Sequence, residues 1–315
     1  MSRTLRENYK EDGDHRRYLI SILFKSIKSN GKILGTRRVM LLRKELTGLD
    51  YNLEIKMNMT IEIEKLAAAL KPLGLNTWRY LPSVGSTNDL ALDWAHAGAP
   101  DWAVVLADTQ TAGRGRDKRV WLSRPGSLAL SLILRPSHCE IEHLARFTAL
   151  AGLGVVHALG EFGLQAKVKW PNDVLLAGKK VAGVLVESEW MDESLAALII
   201  GLGVNVTKTS QPEAAQLRYP ATSVEAVYGQ PIDRWALLTE ILRAMQKLRV
   251  RLPDQIFIQV WNQHLAFRGE EVRFYPTGGE VIDVRLLGVN AQGGLMSELL
   301  DGTDREFLSG EILMA

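Results

Sequence analysis

Most of the residues able to do chemistry stand in four short segments. The first, Asp108-Thr109-Gln110-Thr111-Ala112-Gly113-Arg114-Gly115-Arg116-Asp117, follows an apolar run at 102–107. Glycine lets a backbone approach a ligand and turn its amides toward phosphate or carboxylate oxygens, and arginine offers fixed forks of donors to the same anions. Alone, such a loop fits a flexible surface turn or an RNA-contacting patch as well as an active site. The second, Lys167-Val168-Lys169-Trp170-Pro171-Asn172-Asp173, sets ammonium, amide and carboxylate groups around a Trp-Pro turn. By itself it reads as a buried turn capped by Asn and Asp. In the third, Lys179-Lys180-Val181-Ala182-Gly183-Val184-Leu185-Val186-Glu187, two lysines open a strand, an arrangement that is ordinarily a solvated hairpin turn. The fourth, Gly201-Leu202-Gly203-Val204-Asn205-Val206, has two glycines in a strand. They weaken it unless something packs closely against its backbone. Ser86-Thr87-Asn88 precedes all four.

Alternating strand and helix signals from Trp78 onward would position these segments. Residues 86–98 read as a helix capped by Ser86 or Thr87, with Asp89 reaching back in a capping box. Runs at 102–107 and 127–135 read as core strands, the second alternating Leu128, Leu130, Leu132 and Leu134 with small residues. A long helix is expected over 141–162, short strands at 166–170 and 174–176, a hairpin-like pair at 179–189 and 195–206, and helices at 233–251 and 254–267. Trp235, Leu238, Leu242 and Met245 form a helical stripe of core residues. After Gly269, short β segments at 272–275, 281–287 and 295–299 alternate with Gly-rich turns, the texture of a small all-β barrel. The expected organisation is a basic, poorly patterned extension at 1–58, a large domain at 59–267 and a small one at 268–315.

Composition narrows the function classes. Of the 315 residues, 46% are hydrophobic and 23% charged, the balance of a folded globular chain. The longest apolar stretches, such as 195–206, fall short of the roughly 20 residues a membrane-spanning helix needs. A lone cysteine, Cys139, excludes an intramolecular disulfide framework and fits a cytoplasmic protein. No signal peptide is legible at the start, and Met57 and Met59 offer alternative starts. His138 and His143 bracket Cys139 without the spacing of a zinc site, and read as surface residues. Residues 1–58 carry thirteen Lys/Arg against seven Asp/Glu, leaving the rest of the chain at −4. A body of that sign lacks the basic face that nucleic acid requires.

Together and in this order, Ser86-Thr87-Asn88 and the four segments resemble the catalytic domain of the biotin protein ligases over about residues 77–265, and Ser309-Gly310-Glu311-Ile312 fits that family's C-terminal barrel. The resemblance implies an α+β fold: a mixed β-sheet flanked by helices, similar to the core of class II aminoacyl-tRNA synthetases, followed by a small β-barrel. It also implies an ATP-dependent ligase that forms biotinyl-5′-AMP from biotin and ATP, then transfers biotin to a lysine of a biotin carboxyl carrier protein of the acetyl-CoA carboxylase type. Because two anions must meet, positive groups must screen them.

By this resemblance Lys180, rather than Lys179, lies between the biotin carboxylate and the α-phosphate, because it directly precedes Val181-Ala182-Gly183. Arg114 and Arg116 close over the adenylate, and Arg116 contacts phosphate. Gly113 and Arg114 offer backbone contacts to biotin, Ser86, Thr87 and Gln110 serve its ureido end, and Asn88 and Gly115 also belong to the biotin-binding set. Gly183, Gly201 and Gly203 let the bicycle and tail lie along strand backbone. Lys169 neutralises phosphate oxygens, Asn172 and Asp173 position ATP with Mg²⁺, Trp121 stacks on adenine and Asn205 contacts the nucleotide. No residue is assigned as a direct metal ligand.

Two alternatives stand beside this reading. Lipoate ligases share the adenylate chemistry but lack the Gly-Arg-Gly-Arg loop in this form. Some biotin ligases are also repressors with an N-terminal winged helix-turn-helix, whose paired amphipathic helices residues 1–58 do not show. Sequence-specific nucleic acid binding and a membrane association are therefore not expected, and a homodimer is left open.

Overall fold

The computed structural model describes residues 49–212 and 219–313, with side chains from Met59 onward. The expected extension at 1–58 lies almost wholly outside the described residues. The chain divides into two compact units, 1–58 and 59–315. Among the described residues no helix is long and apolar enough to cross a membrane.

Helix α1 (Leu49–Leu70) plants Leu66 and Leu70 in the core. Next comes a β-α-β unit of strand β1 (Trp78–Val84), helix α2 (Thr87–His96) and strand β2 (Ala103–Gln110). Its two strands run parallel, because a helix long enough to carry the chain back joins them. Strands β3 (Leu128–Leu134), β4 (Ala166–Lys169), β5 (Asp173–Leu176), β6 (Lys179–Met191) and β7 (Ser194–Val204) complete a seven-stranded mixed sheet in the order β1-β2-β3-β7-β6-β5-β4.

The period-two alternation of these strands sorts their side chains between two cores. Val104, Leu106, Leu128, Leu130, Leu132, Leu134, Ile200 and Leu202 join the large one, while Val105, Ile133 and Ile199 face α2 in the smaller. The outer edge of β4 is covered, since Val168 donates to the His264 carbonyl at 2.8 Å and accepts from the Ala266 amide at 2.8 Å.

A short helix, α3 (His138–Ile141), precedes the helix expected at 141–162, which starts later, as α4 (Arg146–Glu161). The capping box belongs to α3, where Glu140 accepts from the Ser137 amide at 2.7 Å and also binds Arg249 at 2.7 Å. At α2 no such box forms. Helix α5 (Val224–Tyr228) was not expected, and α6 (Arg234–Arg249) and α7 (Gln255–Gln263) end a few residues inside their expected bounds.

Strands β8 (Glu271–Pro276), β9 (Ile282–Val289), β10 (Leu295–Leu299), β11 (Asp304–Phe307) and β12 (Gly310–Leu313) form a five-stranded antiparallel, barrel-like sheet in the order β11-β10-β9-β8-β12. Phe274, Leu286, Leu295 and Ile312 fill it, and this core is continuous with that of the large sheet.

The Trp170 indole joins the two sheets. It lies 6.0 Å from Phe274 between ring centroids and donates to the Gly293 carbonyl at 3.1 Å. Trp170→Phe keeps an aromatic ring but orphans that buried carbonyl, so unfolding in urea should show a loss of about 1–3 kcal/mol. An unchanged midpoint and slope would show that this contact does not fasten the small sheet.

Candidate active site

The β4–β5 hairpin sets the charge of the site. Its closing pair is Lys169 opposite Asp173, with Trp170, Pro171 and Asn172 at the tip, so the ammonium and carboxylate are brought together by register. Pairing of β5 with β6 then slips by one residue, placing Asp173 opposite Gly183, Val174 opposite Ala182 and Leu175 opposite Lys180. A bulge of this kind re-aims a side chain. Here it brings Lys180 to the face that carries Asp173 while Val181 and Ala182 go to the core. Lys180 Nζ then stands 2.5 Å from Asp173 Oδ1, and Lys169 Nζ stands 3.7 Å from Asp173 Oδ2. Lys179 is exposed.

The Lys180 backbone is held as well. Its amide donates to Pro220 and its carbonyl accepts from Thr222, each at 2.9 Å. Lys169 is only 2% exposed and lies 4.6 Å from the Tyr219 ring centroid. Burial pushes its ammonium below the usual lysine range, with Asp173 and then Glu311 opposing that shift.

The glycine loop between β2 and β3 starts pinned to the end of β1, for Thr111 donates to the Val84 carbonyl at 2.9 Å and Ala112 to the Gly85 carbonyl at 2.8 Å. Three of its four arginines, Arg114, Arg116 and Arg119, have different partners. Arg114 forks onto Glu187 at 2.8 and 2.7 Å and pairs with Asp89 at 2.7 Å. This is why Asp89 does not cap α2. Arg119 binds Asp117 and Glu311. Arg116 donates to the neutral amide oxygen of Asn172 at 3.3 Å.

At the opposite end of the cleft, the start of α2 is satisfied by a side chain from another strand. Gln110 Oε1 accepts from the Thr87 amide at 2.7 Å and from its hydroxyl at 2.9 Å, supplying an acceptor for one of the free amides of the helix start. Ser131 Oγ lies 2.8 Å from Thr87 Oγ1 and 2.5 Å from Asn88 Oδ1. The Asn88 amide in turn donates to Glu187 at 2.7 Å.

The glycines of β6 and β7 admit the protein's own side chains. A Cβ at Gly201 would lie 2.3 Å from Asn88 Oδ1, and one at Gly203 would lie 2.2 Å from the Trp121 ring. Trp121 also covers Gly183, the cross-strand partner of Gly203.

These parts surround one cleft. Ser86, Thr87, Asn88, Gln110, Arg114, Gly115, Arg116, Trp121, Asn172, Asp173, Lys180, Gly183, Gly201 and Gly203 all line it. Gly113, Lys169 and Asn205 stand behind its walls. Gly113 accepts from the Trp121 amide at 2.9 Å, whereas Asn205, 2% exposed, donates to the Thr222 carbonyl at 3.1 Å.

Sequence reasoning missed Arg119 and Val120, as well as apolar wall residues such as Leu130 and Leu202. The strand alternation could have pointed to the last two. His138 and Cys139 lie in α3, and no group of three metal-ligating side chains occurs among the described residues.

Lys169→Met tests the reason for burying a cation here. Removing one ion of a buried pair is costly when it leaves its partner bare, but Asp173 keeps Lys180 at 2.5 Å, so methionine here removes only the surplus cation. The variant should therefore melt at or above the parent temperature while adenylate formation falls about tenfold or more. A large loss of stability would instead make Lys169 a folding residue.

Comparisons with known proteins agree with this geometry. A model of the biotin/lipoate A/B protein ligase family matches residues 80–205. The bifunctional ligase/repressor BirA of Bacillus spizizenii is 33% identical over 228 residues, 71% of this chain and 70% of that protein. The biotin–[acetyl-CoA-carboxylase] ligase of Paracoccus denitrificans is 36% identical over 192 residues, 59% of this chain and 78% of that protein. Among solved structures, the Aquifex aeolicus biotin protein ligase in complex with biotin and ATP superposes with a TM-score of 0.65 at 30% identity, covering 76% of this chain and 98% of that one. With a cleft of this construction and relatives of this similarity, the chain belongs to the biotin protein ligase family.

Proposed function

We propose that this chain activates biotin with ATP and transfers it to a lysine of a biotin carboxyl carrier protein. One observation carries the reading. One end of the cleft presents Lys180 on a carboxylate that it shares with Lys169 behind the wall, and the other presents hydroxyl and amide groups set in apolar walls.

In the first step a biotin carboxylate oxygen bonds to the α-phosphorus of ATP and pyrophosphate leaves, giving biotinyl-5′-AMP. In the second the acceptor amine bonds to the carbonyl carbon, loses a proton, and AMP leaves. Lys180, with 27% of its side chain exposed, stands at the cleft surface where carboxylate and phosphate would meet. Its charge screens them and stabilises the developing negative charge.

Arg116 exchanges a neutral amide for a phosphate oxygen, and Lys169 acts from behind the wall. Asn172 and Asp173 fix these cations. Mg²⁺ enters as part of the MgATP substrate. Ser86, Thr87, Asn88 and Gln110 bind the ureido end, and the backbone of Gly113, Arg114 and Gly115 lies along biotin. Seated on Gly183 and Gly203, Trp121 presents aromatic surface for adenine. Gly201 gives Asn88 its place, and Asn205 serves the nucleotide by holding the strap that fixes Lys180. Residues 59–267 carry this chemistry and 268–315 brace it. ATP dependence and the lone cysteine fit a cytoplasmic enzyme.

The test uses purified protein, MgATP, biotin and a carrier domain, following pyrophosphate release and the carrier's mass. Lys180→Ala should cut adenylate formation about 100-fold or more. Lys179→Ala should leave it near the parent rate. Loss in Lys179→Ala with activity kept in Lys180→Ala would move the role by one residue.

A second reading, a ligase that also represses transcription, is favoured by the name of the Bacillus relative and the basic excess of residues 1–58. Our reading is a ligase alone, so the extension should bind DNA loosely, without sequence preference and with a steep fall in salt. Titration against the DNA upstream of its own coding sequence and a scrambled control at physiological salt decides. A preference of about 1,000-fold or more for its own DNA establishes the repressor.

A further inference from the structure

We propose that the small barrel positions the glycine loop through one carboxylate, Glu311, and that Arg119 and Glu311 are a positioning pair for adenylate chemistry. This rests on the ligase reading above. Glu311 lies on β12, opposite Tyr275 of β8, and is only 8% exposed. A buried carboxylate is strongly unfavourable without a partner. Arg119 supplies one with a two-pronged contact, Nη1 to Oε1 at 3.0 Å and Nη2 to Oε2 at 3.2 Å. Arg119 is outside the Gly-Arg-Gly-Arg motif, yet its backbone brackets the turn that bears Arg116. Gly115 donates to the Arg119 carbonyl at 2.7 Å, and Arg119 donates to the Arg116 carbonyl at 3.0 Å.

Within that turn Asp117 and Lys118 have φ of 55° and 60°. Non-glycine residues hold this left-handed conformation only when their surroundings impose it. Anchoring Arg119 to a strand of the barrel imposes it here. The same carboxylate acts electrostatically on Lys169, whose ammonium lies over the Tyr219 ring. Glu311 therefore connects two cations of the adenylate site, one on the loop and one behind the wall.

The test compares the full chain with Arg119→Gln, Arg119→Lys, Glu311→Gln and the Arg119→Gln/Glu311→Gln double variant. It measures KM for ATP, KM for biotin and the rate at which biotinyl-AMP escapes the enzyme. Each Gln variant should raise adenylate escape and KM for ATP about tenfold, with KM for biotin nearly unchanged. The double variant should be no worse than a single one, because both remove the same contact. Arg119→Lys, which keeps the charge without the fork, should recover part of the loss.

Arg119 is on the surface loop with 44% of its side chain exposed, so its variants carry the test if Glu311→Gln fails to fold. Parent-like behaviour of Arg119→Gln overturns the proposal. So do losses that multiply in the double variant, a tighter KM for ATP in Glu311→Gln, or an equal fall in every parameter with a lower melting temperature. A parent enzyme with no biotin-dependent pyrophosphate release overturns the ligase reading itself, and the proposal with it.

Discussion

A single buried carboxylate, Asp173, faces two ammonium groups, Lys180 at 2.5 Å and Lys169 at 3.7 Å. Removing such charges from water is costly, and an unequal set is costlier than a matched pair. Much of the surrounding structure keeps this set together. The hairpin register puts Lys169 opposite Asp173, the slip in β5–β6 pairing turns Lys180 onto their face, and the strap at 220–222 holds the Lys180 backbone. From beneath, Trp170 fixes the hairpin tip to the barrel-like sheet, while Glu311 faces Lys169 and Arg119. The protein's own contacts hold the charged groups of the site in place, as electrostatic stabilisation requires.

The loop arginines divide the remaining work by the partners they already have. Arg114 is neutralised by Asp89 and Glu187, so it ties the loop to α2 and β6. Arg119 is tied to the barrel. Arg116, between them, meets an uncharged amide and can exchange it for an anion at little cost. Asn88 and Trp121 fill the space above the strand glycines, so the cleft floor owes its shape to side chains packed on bare backbone.

Much of the fold and site is legible in the sequence because alternation and motif order are local properties. The Leu128-to-Leu134 alternation gives β3 and its face, and the four motifs together with Ser86-Thr87-Asn88 and Trp121 mark fourteen of the cleft's lining residues. Properties that depend on distant partners escape it. No sequence signal shows that Asp89 will pair with Arg114 instead of capping its helix, whereas Ser137-His138-Cys139-Glu140 has the spacing of a capping box and could have marked α3. Lys180 and Lys179 are neighbours of one type, and only the register slip separates a cleft residue from an exposed one. Arg119 reads as one more charge in an exposed basic run until Glu311, 192 residues away, is placed beside it.

The charge of the Lys169–Asp173–Lys180 set can be measured directly by calorimetric titration with two stable adenylate analogues, one carrying a phosphodiester and one with a neutral linker in its place. The parent protein should bind the charged analogue more tightly, and Lys169→Met should remove much of that preference while leaving affinity for the neutral analogue unchanged. Equal affinity of the parent for both analogues, or the same preference in Lys169→Met, would contradict the assignment of this set to anion binding.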